Sequence, residues 1–196
     1  MSHLTVFYDS EFTGLTQNTT LISIALTTLE GKSFYAEFTD FDLTQVDSFV
    51  DESVLANTRW LSNWNNTSPK ALLPDVEVVN GVTSCVGPTD YICQQLKQWI
   101  EPLGEIQIWA DHVSYDWVLF CELFGGALSL PQSIYYIPMD LCTWMSCHGY
   151  DPDCNREEFA DGYLTDLSAG NGKQHNALFD AKVSLACYQR VLAEAK

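Results

Sequence analysis

Hydrophobic residues recur in three short runs near the start of the chain, separated by turn-forming residues. Residues 4–9 form an apolar run, and residues 20–28 form a second run rich in Leu, Ile and Thr. Residues 31–38 begin with a glycine and then alternate apolar and polar side chains. Such runs are typical of β-strands, and Glu30-Gly31 has the composition of a hairpin turn. The pattern therefore predicts an antiparallel meander of three strands.

The next part of the chain combines helical periodicity with turn-forming residues. Apolar positions at helical spacing over 42–60 predict a helix. Residues 62–88 are rich in Asn, Ser, Pro and Gly, which indicates a long loop with one short strand at 76–79. Capping and periodicity predict a helix at 89–101, and the apolar residues 105–110 predict the next strand.

The C-terminal half alternates between predicted helices and strands. Its predicted elements are a helix at 114–125, a strand at 134–141, a short helix at 141–149, an irregular polar stretch at 149–174 with one helix near 156–162, and a long helix at 175–196. A meander followed by such alternation predicts an α/β fold with a mixed sheet.

Length and composition indicate one compact domain over residues 1–196. The hydrophobic content of 46% is enough for a full core. The first residues lack a secretory signal, and no apolar stretch approaches the roughly 18 residues of a membrane span. The odd number of cysteines, seven, favours reduced thiols. We therefore expect a soluble cytoplasmic protein that does not contact a membrane.

The chain is strongly acidic, with a net charge of −17 and only nine Lys plus Arg residues. This charge argues against a broad nucleic-acid-binding surface, because such surfaces are basic. If the substrate is a polynucleotide, contact is confined to a small cleft and depends on divalent cations.

Acidic residues in three distant segments are candidates for one metal site. Asp9 and Glu11 lie two positions apart, so on an extended strand both carboxylates face the same side. An ordinary acidic strand end is the alternative for this pair. Asp116 lies in the first turn of a predicted helix, where interaction with the helix dipole is the alternative. Asp111, which ends the preceding strand, competes with Asp116 for the role.

The third segment contains a histidine as well as a carboxylate. His175 and Asp180 are five residues apart, which leaves them about 140° apart around a helix. His175 is therefore expected in the loop just before the helix, turned toward the site, and a helix-capping role is the alternative. Carboxylates suit two divalent cations that assist an in-line displacement at a phosphodiester, and a neutral histidine suits a general base.

The ordered motifs DSEFTGL, SYDW and HNALFDA resemble those of the 3′–5′ exonucleases with four acidic ligands and a histidine. This family includes ribonuclease T and oligoribonuclease and belongs to the ribonuclease H-like superfamily. The opening of the chain also resembles a bacterial and phage subgroup of exoribonucleases. The resemblance spans positions 9 to 180. It implies a ribonuclease H-like mixed five-stranded sheet flanked by helices, and it suggests a homodimer.

The resemblance also implies roles for individual residues. Two Mg²⁺ or Mn²⁺ ions are held by four metal ligands, and a histidine acts as the general base. The pocket for the terminal nucleotide is lined by a short loop, with aromatic stacking and a lysine contact to phosphate. The residues are Asp9, Glu11, Asp116 and Asp180 as ligands, His175 as the base, Thr13, Gly14 and Leu15 in the pocket loop, Phe12, Trp117 and Phe120 as stacking residues, and Lys173 and Lys182 as phosphate contacts. Core packing is an equal alternative for the aromatic residues, and surface solvation is the alternative for the lysines.

The resulting hypothesis is a metal-dependent 3′–5′ exonuclease that releases nucleoside monophosphates from single-stranded 3′ ends. RNA is the preferred substrate because of the subgroup resemblance, and DNA remains open. A non-catalytic module that binds nucleic acid or protein on the same fold is the second hypothesis. A nuclease of another polarity or a small-nucleotide phosphodiesterase is the third.

Overall fold

A mixed sheet of seven strands forms the centre of the computed structural model, which describes residues 3–164 and 173–194. The spatial order is β4-β5-β3-β2-β1-β6-β7. The strands are β1 (Leu4–Phe12), β2 (Leu21–Thr28), β3 (Ser33–Phe38), β4 (Asp75–Val79), β5 (Val82–Gly87), β6 (Ile106–Ala110) and β7 (Met139–Asp140). The α/β class is confirmed, whereas the prediction of five strands is wrong.

The N-terminal meander forms as its alternating pattern predicts. β1 pairs antiparallel with β2, and β2 pairs antiparallel with β3. Gly31 has φ of 85°, a conformation that glycine adopts readily, in the turn between β2 and β3. β1 extends beyond the predicted strand, so that Glu11 lies within it, and its register with β2 shifts between Glu11 and Phe12.

The two additional strands come from the stretch predicted to be a long loop, 62–88. β4 and β5 form an antiparallel hairpin, and β5 pairs parallel with β3. Asn80 and Gly81 both have positive φ, as the tightest hairpin turns require. The short strand predicted at 76–79 is thus β4, and β5 was missed because its turn signal lies within a generally polar stretch.

The helix predicted at 42–60 is absent as a regular helix. The chain instead forms a 3₁₀ turn at Leu43–Gln45, a π-helical turn at Val50–Val54 and a second 3₁₀ turn at Leu55–Asn57. Val54 and Leu55 are adjacent in sequence and both are buried in one apolar cluster. Tertiary packing therefore outweighs helix propensity in this segment.

The other helices agree with the predictions in type and approximate position. They are α1 (Thr89–Ile100), α2 (Val113–Glu122), α3 (Leu141–Cys147), α4 (Arg156–Phe159) and α5 (Ala177–Glu194). The strand predicted at 134–141 shortens to the two residues of β7 and one bridge between Ile134 and Ile106. Pro138 lacks the N–H that a longer ladder would need.

Both faces of the sheet are covered by apolar clusters, and successive side chains of β1 point to opposite faces. Tyr8 packs against Phe120 of α2 in the largest apolar cluster. Ala25, which pairs with Asp9 in register, packs instead with Ala181 of α5. Neighbours across a ladder share a face, so the odd-numbered residues of β1 point toward α5.

Among the described residues, no helix has both the length and the apolar character needed to cross a bilayer.

A fully buried carboxylate, Glu37 on β3, organises the chain that follows the irregular turns. Its oxygens accept hydrogen bonds from the backbone N–H groups of Arg59 (2.5 Å), Trp60 (2.9 Å) and Leu61 (3.0 Å). The Tyr35 hydroxyl donates to the same carboxylate at 2.6 Å. Burial raises the pKa of Glu37, and these hydrogen bonds offset part of that rise.

We expect Glu37→Ala to lower the free energy of unfolding by about 3 to 5 kcal/mol, because several buried donors would lose their acceptor. Glu77→Ala is the control: Glu77 forms a solvent-accessible ion pair with Arg59, and its loss should cost about 1 kcal/mol or less. Urea unfolding measures both. Equal losses in the two variants would contradict the structural role of Glu37.

Candidate active site

Three carboxylates from β1 and α5 converge at one end of the sheet. Asp9 and Glu11 both lie on the α5 side of β1, and Asp180 lies in the first turn of α5. One oxygen from each lies within 4.8 Å of the others. The predicted period-two arrangement of Asp9 and Glu11 therefore places both beside Asp180.

Asp116 reaches the same cleft from the opposite side of β1. It is buried on α2 with 7% of its surface exposed, and it accepts a 2.6 Å hydrogen bond from the Ser10 hydroxyl. Ser10 points away from Asp9 and Glu11 because side chains alternate along a strand. Asp116 thus lines the cleft without joining the tight group of three.

Asp111, the competing candidate, also lines the cleft but has a cationic partner. Arg156 donates to its two carboxylate oxygens from Nε (2.9 Å) and from a terminal nitrogen (3.1 Å). A bidentate pair of this kind occupies both oxygens of the carboxylate. Asp116 instead accepts from the neutral Ser10 hydroxyl, so the geometry favours Asp116 over Asp111 as a candidate metal ligand.

Asp9, Glu11, Asp116 and Asp180 hold protons more tightly than ordinary carboxyl groups. Burial raises the pKa of Asp116 to about 7 and that of Asp180 to about 7. Burial and then repulsion from Asp180 and Asp116 raise the pKa values of Asp9 and Glu11 well above their usual range. Carboxylates this close repel one another when they are all ionised.

His175 lies in the turn just before α5, as its five-residue spacing from Asp180 predicts. Its backbone N–H donates to Asp180 Oδ2 at 2.8 Å, and His175 is among the residues that line the cleft. Asn176, rather than His175, caps the helix: its side-chain oxygen accepts from the N–H groups of Leu178 and Phe179, both at 3.2 Å. Burial lowers the pKa of His175, which favours the neutral imidazole at neutral pH.

The predicted substrate contacts fall into two groups. Phe12 lines the cleft and stacks on Tyr115 of α2, with ring centroids 5.7 Å apart. Leu15 is 74% exposed beyond the end of β1. These two residues are therefore accessible to a ligand, and their roles stay predictions.

The remaining predicted contacts lie elsewhere. Trp117 packs against Phe120 in the apolar core. Thr13 is buried and donates to Gln45 Oε1, so it ties the end of β1 to the irregular segment. Gly14 follows Thr13 in this loop, and its N–H donates to Thr19 Oγ1 at 3.0 Å. Lys173 is exposed and lies outside the cleft lining. Lys182 is buried on α5.

One wall of the cleft comes from a stretch that carries no recognised motif. Residues 152–157 line the cleft, which has a volume of about 440 Å³. Arg156 fixes this wall through its pair with Asp111 and through donation to the carbonyls of Pro152 (2.6 Å) and Cys154 (2.8 Å). This wall was not predicted, because the pair that fixes it joins Arg156 to Asp111, 45 positions earlier in the chain. The rest of the irregular stretch includes 165–172, which lie outside the described residues.

Comparison with known proteins identifies a family and two relatives. The model of one protein family, described as the 3′-5′ exoribonuclease Rv2179c-like domain, matches residues 4–192. Two proteins from different strains of Mycobacterium tuberculosis, named 3′-5′ exoribonuclease Rv2179c and 3′-5′ exoribonuclease MT2234.1, are each 28% identical to this chain over 130 residues. The aligned region covers 65% of this chain, and it spans 66% of the length of each relative.

The family model covers nearly the whole chain, including all three acidic segments. The chain therefore belongs to the Rv2179c-like 3′-5′ exoribonuclease domain family.

Proposed function

We propose that the protein is a metal-dependent 3′–5′ exoribonuclease that releases nucleoside monophosphates from single-stranded RNA ends. The observation that carries the proposal is the group of three carboxylates whose oxygens lie within 4.8 Å of one another. Membership of an exoribonuclease family and two relatives named as exoribonucleases support the reaction class and RNA as the substrate.

The donor set fits hard divalent cations. All of the clustered groups are carboxylates, and oxygen is the ligand that Mg²⁺ and Mn²⁺ prefer. Arg156 is the one Lys or Arg residue among the described residues that line the cleft, and it is already engaged by Asp111. Asp9, Glu11 and Asp180, with Asp116 from the other side, would hold two Mg²⁺ or Mn²⁺ ions. Such ions would supply charge stabilisation for the attacking and leaving oxygens of a phosphodiester.

His175 is suited to remove a proton from the attacking water. His175 lines the cleft, and its lowered pKa favours the neutral imidazole, which can accept a proton. The bond from its backbone to Asp180 fixes the turn beside the carboxylates. A general base must lie within hydrogen-bond reach of the proton that it removes. Phe12 and Tyr115 offer an aromatic surface on which a base can stack.

The strong negative charge of the chain shapes how RNA would bind. With a net charge of −17, the surface repels a polyanion, so affinity must come from the metal-bound end and from stacking. We therefore expect RNA binding to require divalent cations.

We expect Asp180→Asn to lower the rate of nucleotide release from a 3′-labelled RNA oligomer by at least about 100-fold in Mn²⁺. The amide keeps the size of the side chain but removes one ligand charge. Asp161→Asn is the control, because Asp161 is exposed and outside the cleft lining. Nucleotide release at the wild-type rate by Asp180→Asn would contradict the proposed site. RNA that is bound but not cut by wild-type protein would favour a binding module.

The raised pKa values of Asp116 and Asp180 predict a pH-dependent stability of the metal-free protein. A carboxyl group whose pKa is higher in the folded state stabilises the fold at low pH and loses that contribution as pH rises. The free energy of unfolding should therefore fall as the pH rises from about 4 to 7, because the pKa of each carboxyl group is 3.8 ordinarily and about 7 in the folded protein. Millimolar Mn²⁺ should raise the melting temperature at pH 8 and have little effect at pH 5. Identical melting curves with and without Mn²⁺ at pH 8 would argue against a metal site.

A further inference from the structure

The turn that carries His175 has a backbone conformation that its surroundings must maintain. His175 has φ of 63°, in the left-handed region that a residue with a side chain rarely adopts. Such a conformation costs on the order of 1 kcal/mol and persists only where neighbouring contacts fix it. The contacts on the Asp180 side have been described above. A second set comes from the irregular segment between β3 and β4.

Asn57 holds the turn on both sides of His175. Its side-chain Nδ2 donates to the carbonyl of Gln174 at 3.0 Å, and its own carbonyl accepts from Asn176 Nδ2 at 2.9 Å. These bonds join residues about 120 positions apart in the chain, and they bracket the histidine directly. Asn57 is therefore the second anchor of the turn.

Phe49 contacts the histidine ring itself. The two rings meet edge to face, with centroids 5.2 Å apart and planes at 79°. Phe49 is 55% exposed, so it contributes little to the core, and His175 is its one aromatic partner among the described residues. The contact restricts the directions in which the imidazole can point.

The segment that supplies Phe49 and Asn57 is rigidly attached to the sheet. Val50, Val54 and Leu55 are buried, which fixes the π-helical turn between the two residues. Asn57 Nδ2 also donates to the carbonyl of Ser53 at 2.7 Å. Beyond Asn57, buried Glu37 binds the backbone N–H groups of residues 59–61. Buried side chains and hydrogen bonds thus hold the irregular backbone in one conformation. Turns of π-helix are frequent at functional sites.

We propose that Asn57 and Phe49 are positioning residues that hold His175 in its productive orientation. The inference rests on the proposed function, in which His175 is the general base. It assigns a role to the segment 49–57 that no sequence motif marks. Neither residue needs to touch RNA or a metal ion, so their substitution should affect the chemical step more than binding.

The kinetic test is a double-mutant cycle with His175. We expect Asn57→Ala and Phe49→Ala each to lower kcat by about 10-fold or more, since small displacements of a catalytic group are costly. KM for a short RNA oligomer should stay within about 3-fold of wild type. In the His175→Ala background the same substitutions should change kcat by less than about 2-fold, because they act through the histidine. Asn66→Ala is the control, because the Asn66 side chain donates an exposed hydrogen bond to Asn63 and lies outside the cleft lining.

Hydrogen–deuterium exchange supplies a readout that does not depend on activity. Asn57→Ala should accelerate amide exchange in residues 174–180 while exchange in β1 stays at the wild-type rate. Equal losses of kcat in the wild-type and His175→Ala backgrounds would overturn the proposal, as would unchanged exchange in 174–180. If wild-type protein releases no nucleotide, the proposed function fails, and the exchange experiment alone decides whether Asn57 fixes the turn.

Discussion

Electrostatic repulsion among half-buried carboxylates is the constraint around which this structure is built. Asp9, Glu11 and Asp180 offer oxygens within 4.8 Å of one another, and desolvation raises their pKa values, as does repulsion from neighbouring acids for Asp9 and Glu11. A fold maintains such a cluster only when strong packing elsewhere holds the groups in place. The seven-stranded sheet and α5 provide that packing. A pair of divalent cations would neutralise the repelling carboxylates by binding between them, as the proposed function requires.

The site combines regular elements with irregular supports. β1, α2 and α5 contribute the acids, so the carboxylates are placed by strand register and helix packing. The histidine turn and one cleft wall depend instead on side chains that bind backbone groups. Asn57 anchors the turn, and Arg156 anchors the wall through Asp111. Functional residues on loops need such supports, because a loop by itself does not fix a side chain.

Local periodicity was sufficient to predict much of this arrangement. The two-residue spacing of Asp9 and Glu11 indicated a shared face, and the five-residue spacing of His175 and Asp180 indicated that the histidine precedes the helix. β4 was predicted, but its hairpin partner β5 was missed because the Asn80-Gly81 turn lies in a polar stretch. The predicted helix at 42–60 failed because burial of its apolar residues favours π and 3₁₀ turns. Contacts such as Asn57 with Gln174 leave no local trace in a single sequence, since each partner is an ordinary polar residue.

If these distant carboxylates share two metal ions at the end of β1, crystals grown or soaked in Mn²⁺ should show both ions by anomalous scattering. We expect two anomalous peaks in the cleft, in contact with Asp9, Glu11 and Asp180 and, from the other side, Asp116. An anomalous map in which these carboxylates contact no peak, at a Mn²⁺ concentration that supports nucleotide release, would rule out the proposed two-metal site.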